Sequence, residues 1–64
     1  MVSIKRVNSH GFTYYLSDYD TKNKFSWSGL IENAAAVLEE DVYPMIAILK
    51  RRYPDDTFTK IIMK

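Results

Sequence analysis

Glu39-Glu40-Asp41-Val42-Tyr43-Pro44-Met45-Ile46-Ala47-Ile48-Leu49-Lys50-Arg51-Arg52-Tyr53-Pro54 is the stretch whose reading decides the fold. Val42, Met45, Ile46, Leu49 and Tyr53 recur at three- and four-residue spacing, which puts them along one side of a helix. Three acids open the segment and three bases close it, complementing the helix macrodipole, and Pro54 forbids continuation. Asp41 is the expected N-cap, which places Pro44 in the first turn, where its missing N–H costs little. A competing reading runs one helix from about residue 30 to residue 53, kinked at Pro44. The interrupted helix, spanning Val42 to Tyr53, is the preferred one.

Outward from the helix the period changes to two. Thr57 to Met63 alternates and reads as a closing strand. Upstream, Val2, Ile4 and Arg6 alternate with Ser3, Lys5 and Val7 as far as the turn Asn8-Ser9-His10-Gly11. Phe12 to Asp18 resumes the alternation, with Phe12, Tyr14 and Leu16 expected on the core face and Tyr15 on the other. Asp18 to Asn23 is rich in residues that bond their own backbone and reads as a loop. Lys24 to Ser28 follows as a third strand with Phe25 and Trp27 on one face. Residues 30 to 38 stay open between a short helical turn and an irregular connection. The order β-β-β-α-β predicts a small two-layer α+β domain, with one main helix on an antiparallel or mixed sheet, occupying residues 1–64 as a single unit.

Size and charge narrow the function. A chain of 64 residues has room for one core and buries only about 60% of its unfolded surface, so hiding more apolar area on a partner would stabilise it. With no cysteine and one histidine, there is no disulfide framework and no thiolate metal cluster, and no cofactor is expected. Nine basic against eight acidic residues give +1, so bulk electrostatics do not point to nucleic acid. The first residues alternate and do not resemble a signal peptide, and no apolar run approaches a membrane span of ~20 residues. The expectation is a cytoplasmic protein with no membrane partner.

Candidate catalytic and metal-ligating groups do not assemble into motifs. His10 sits in a turn without a nucleophile or ligand partner at workable spacing. Asp18, Asp20 and Asn23 fail the calcium-loop pattern, because Lys22, Asn23 and Gly29 occupy its fifth, sixth and twelfth positions. Adjacent carboxylates at 39–41 do not face one another on a helix. The likeness of His10-Gly11-Phe12-Thr13-Tyr14-Tyr15 to an RNA-binding strand is weak, since the element order differs.

Val42 to Leu49 holds no charge, a wider apolar band than packing on one sheet face requires. Tyr43, Met45, Ala47 and Ile48, rimmed by Glu40 and Arg51, are therefore the candidate protein interface, and no catalytic residue is assigned. The expected function is a non-enzymatic protein-protein interaction module whose partner is another protein or a second copy as a homodimer. The alternative is a small nucleic-acid-binding protein built on Lys50, Arg51, Arg52, Lys60 and Tyr15, with Lys64 nearby on the last strand.

The acid-started helix of residues 39–53, its Ala47-Ile48-Leu49-Lys50-Arg51-Arg52-Tyr53-Pro54 ending, and the Phe58 and Ile61-Ile62 strand resemble the closing α-β unit of small early-region proteins of tailed phages of Gram-positive bacteria. That resemblance covers residues 39–63. It implies an inhibitor or modulator that binds a host or phage macromolecule in the host cytoplasm, and it assigns no catalytic residue.

Overall fold

In a computed structural model, which describes residues 1–20 and 22–63, four strands and one long helix form a two-layer α+β domain. Thr21 of the expected loop and Lys64 of the expected basic patch lie outside the described residues. The strands are β1 (Val2–Val7), β2 (Thr13–Tyr19), β3 (Phe25–Ser28) and β4 (Thr57–Ile62), and the helix α1 spans Glu39–Arg52. The sheet order is β3-β2-β1-β4, with every pairing antiparallel. The chain thus leaves one edge at β3, crosses the sheet as α1, and returns as the opposite edge. Val2, Ile4, Leu16, Val37, Val42, Met45, Leu49 and Phe58 form the buried core between helix and sheet.

The first hairpin follows from its turn residues. The Asn8 side-chain oxygen accepts from the His10 and Phe12 backbone N–H groups, and Gly11 takes φ 85°, which glycine adopts without steric cost. This closure keeps Phe12 out of the strand. Expected in the core, Phe12 is instead 63% exposed in the turn, and β2 starts one residue later.

β2 also ends later than expected, through a bulge. Leu16 pairs with Trp27 and Asp18 with Ser26, so one extra residue is accommodated on β2. The bulge reverses the alternation and brings Tyr19 to the core side, opposite Phe25.

Residues 30–38, ambiguous in sequence, contain a single turn of 3-10 helix at Ile31–Asn33 followed by extended chain. That chain is held by both central strands: Ala35 N–H donates to the Leu16 carbonyl of β2, while Val37 and Val2 exchange hydrogen bonds with β1. β1 and β2 are in register only over Lys5 to Val7. The backbone of 35–37 therefore satisfies groups that the two strands leave unpaired beyond that stretch, and it seats Val37, fully buried, under the helix.

The helix starts at Glu39, three residues before the expected Val42, and Leu38, not Asp41, is the N-cap residue. No side chain caps this end; Asp41 N–H donates to the Leu38 carbonyl. Pro44 is consequently the sixth helical residue, neither a break nor a hinge between two helices, and the Glu40 carbonyl lacks the N–H that any other residue at 44 would offer. The C-terminus ends as expected, with Tyr53 N–H donating to the Leu49 carbonyl.

Beyond the last helical turn, aromatic side chains from both sheet edges close the core. Trp27 of β3 and Phe58 of β4 lie 6.1 Å apart between ring centroids, and Tyr53 lies 6.5 Å from Phe58. The Arg6 guanidinium sits among them, 3.9 Å from the Tyr53 centroid and 5.2 Å from that of Trp27, with its Nε donating to Asp56 at 2.7 Å.

Candidate protein-binding corner

Packing divides the expected helical interface. Met45 is 8% exposed and belongs to the core, because it falls on the same side of the helix as Val42 and Leu49; its place in a surface patch is corrected accordingly. Glu40, Ala47 and Arg51 are exposed along the outer ridge, and Ile48 is half-buried. Tyr43 and Ile48 lie about 140° apart around the axis, so they flank different edges. Ile48, with Pro44, Met45, Tyr19, Asp20, Asn23 and Asp41, lines an open groove of about 320 Å³ beside the β2–β3 loop. Tyr43 faces β4, where the Lys60 ammonium lies 5.8 Å from its ring centroid.

On that β4 side the structure assembles an apolar corner. Tyr43 is 65% exposed, Leu38 51%, Ile62 84% and Met1 65%. Ile62 pairs with Val2 of β1, Met63 N–H donates to the Met1 carbonyl, and on the other side of β1 Val2 bridges to Val37, which leads through Leu38 into the helix start, where Glu39 meets Lys60. Lys60, two residues from Ile62 and on the same face, donates to Glu39 at 2.7 Å. Each charge is partly neutralised by the other: hydrogen bonding to Lys60 lowers the Glu39 carboxyl below its ordinary range, and the same bond raises the Lys60 ammonium.

The corner also contains an open strand edge. β4 is an edge strand of six residues with β1 on one side only, and its outer backbone groups are available to another strand. The other edge is better guarded. β3 has four residues, and Arg52 from the helix lies over Phe25 and donates to the Asn23 carbonyl. Sequence periodicity identified Tyr43 but missed Leu38, Ile62 and Met1. Only the pairing of β1 with β4 and the early helix start gather these residues, although the unbroken Ile61-Ile62-Met63 run was a visible signal.

The basic set is dispersed. Lys50, Arg51 and Arg52 are successive residues and point about 100° apart. Arg52 is engaged with the β3 side and Lys60 with Glu39. Tyr15, paired with Lys5, lies on the sheet face opposite Ile4 and its partner Lys60. Among the described residues no group of three or more His, Cys, Asp or Glu side chains is placed to hold a metal, and no helix is long and apolar enough to cross a membrane.

Against known protein families, curated proteins and solved structures, the chain shows no significant match.

Proposed function

We propose that the chain is a non-catalytic protein-protein interaction module that binds through the corner formed by the β4 edge and the start of α1. One observation carries the reading: Ile62 is 84% exposed on an open edge strand, on the same face as Lys60, whose ammonium lies 5.8 Å from the ring centroid of Tyr43, itself 65% exposed. In so small a domain the exposed parts of Ile62, Tyr43 and Leu38 offer on the order of 400 Å², within the range of patch that on monomers often marks a binding surface. The edge supplies directional backbone hydrogen bonds, and the side chains supply desolvation, the combination used when one protein adds a strand to another. Glu39 and Lys60 form a polar rim whose charges already offset each other, so the surface favours a partner that is apolar at its centre. A modulator of a host protein, as the phage likeness of residues 39–63 implies, is one role such a module would serve.

The test compares capture by the immobilised wild-type chain, Ile62→Lys and Phe12→Lys, each shown to be folded by circular dichroism. Phe12 is 63% exposed at the opposite end of β1, so it controls for general surface hydrophobicity. A specific protein retained by wild type and Phe12→Lys but lost from Ile62→Lys supports the reading. Equal retention by all three overturns it. Retention of nucleic acid instead, falling linearly in log salt, supports the basic-residue alternative.

A further inference from the structure

We infer that the β4 edge pairs with the β4 edge of a second copy of this chain, antiparallel and centred on Ile61, forming one eight-stranded sheet with both helices on the same side. This inference rests on the proposed binding corner and names its occupant. The first argument is the contrast between the edges. β3 is short, with Arg52 lying over the Phe25 ring at its start, whereas β4 has six regular residues and no proline. Its one charge, Lys60, would normally discourage edge pairing, but that charge is offset by Glu39.

The second argument is register. In an antiparallel pair, residues directly opposite share a face of the sheet, so a two-fold axis normal to the sheet passes beside one residue and its own counterpart. Centring on Lys60 sets two ammonium groups against each other. Centring on Thr59 leaves Ile62 opposite Asp56, which is committed to Arg6. Centring on Ile61 has neither fault. Ile61 meets Ile61 of the second copy, Thr59 meets Met63, and Ile62 lies against the aliphatic stem of Lys60, over which the second copy's Tyr43 ring is stationed. Ile62, the most exposed large apolar residue of the described chain, is thus covered by the other copy, and the contact is self-complementary, as a two-fold interface must be. Two such corners, together with the paired strand backbones, bury roughly 1,000 Å² in total, at the lower limit for specific association, so the dimer is weak and concentration-dependent.

Two measurements test this together. By sedimentation equilibrium between about 10 μM and 1 mM, a range suited to a small interface, the wild-type mass should rise from 7.5 kDa towards twice that value. Ile62→Lys should raise the dissociation constant at least tenfold, and Phe12→Lys should leave it unchanged. Because the chain has no cysteine, Ile61→Cys should cross-link to itself under mild oxidation: opposite residues in such a ladder lie about 4.5–5.5 Å apart between Cα atoms, within disulfide reach. Thr57→Cys, near the far end of β4, should remain monomeric and shows that cross-linking is register-specific even if Ile61→Cys loses stability. A wild-type chain that stays at one-chain mass up to 1 mM overturns the inference. If Ile62→Lys still loses a captured protein in that case, the proposed function survives without the dimer. Association that Ile62→Lys does not weaken, or cross-linking by Thr57→Cys but not Ile61→Cys, also overturns it.

Discussion

Replacing Arg6 with Met should cost about 3 kcal/mol, from three contributions at one site. The Arg6 and Asp56 side chains retain 17% and 9% of their exposure, so their pair lies much nearer the buried limit, where removing one partner costs about 3–5 kcal/mol, than the exposed limit of ~0–1 kcal/mol. Stacking on Tyr53 at 3.9 Å adds about 1 kcal/mol. Methionine recovers part of the packing, which brings the net to about 3 kcal/mol. For a domain of this length, whose whole stability is roughly 3–10 kcal/mol, that is about three tenths or more. Urea unfolding is the suitable assay, since guanidinium would screen the pair; Trp27, the only tryptophan, lies 5.2 Å from Arg6 and reports the site, with far-ultraviolet circular dichroism as a second probe. Asp56→Asn alone should cost less, about 1–2 kcal/mol, because Arg6 keeps its rings. In the Arg6→Met background the same change should be neutral or stabilising, because it removes a carboxylate left without its partner. A cost for Arg6→Met below 1 kcal/mol, or strict additivity of the two changes, would refute the account of Arg6 as a coupled, desolvated ion.

Ser3 is fully buried and its Oγ has no hydrogen-bond partner among the described residues; Ser3→Ala should therefore stabilise by about 1 kcal/mol, raising Tm by roughly 4–8 °C in a calorimetric scan. Pro44→Ala restores an N–H for the Glu40 carbonyl and should raise stability by about 1–3 kcal/mol; a loss in urea unfolding would show that the ring's packing in the groove outweighs the missing bond. Glu39 has a lowered folded-state pKa, so its contribution is fully present above its ordinary value of 4.5 and is lost as pH falls through the folded value. The Tm difference between wild type and Glu39→Gln should accordingly shrink below that pH and stay constant from 5 to 8; a difference that persists undiminished at pH 2 would contradict the sign. Leu38→Asp should add about 1 kcal/mol by supplying the missing N-cap while weakening capture or self-association, and a variant that gains stability with binding intact would remove Leu38 from the interface.

The fold was legible wherever one residue sees the same environment along a whole element. Val2, Ile4 and Leu16 alternate because they sit on one pleated face, and Val42, Met45 and Leu49 recur because they line one side of a helix; those periods are in the sequence. The departures come from tertiary contacts that no local period encodes. Phe12 was lost from the core to the Asn8 turn, Tyr19 was gained through the β2 bulge, and residues 35–37 took an extended path because the splayed ends of β1 and β2 offered unpaired backbone groups. The helix began early because acidic residues at 39–41 are good company for a helix N-terminus even without a side-chain cap. The candidate site was legible only through Tyr43. Met45 looked equally available because its sequence neighbours hold no charge, but charge-free is not the same as exposed, and the helix's rotation on the sheet decides between them.

That rotation also explains why the open corner sits where it does. Local rules are broken at three points on the helix start and β4. Leu38 occupies an N-cap position that favours Ser, Asp or Asn. Tyr43 stands outward on a helix whose inward stripe is already complete, and Ile62 is 84% exposed at a strand edge that polar residues would protect. Each would be improved for folding by a polar side chain, and none is needed to fill the core, which closes on the other side through Arg6, Tyr53 and Phe58. Departures from local optimum scattered over a surface would need no common cause. Here the Lys60–Glu39 hydrogen bond and the Lys60–Tyr43 contact tie the helix start to β4, the six-residue edge strand that carries Ile62. Surface chemistry that is poor for the isolated chain, and poor around one strand edge, is what the proposed binding function would add to a sequence otherwise consistent with its fold.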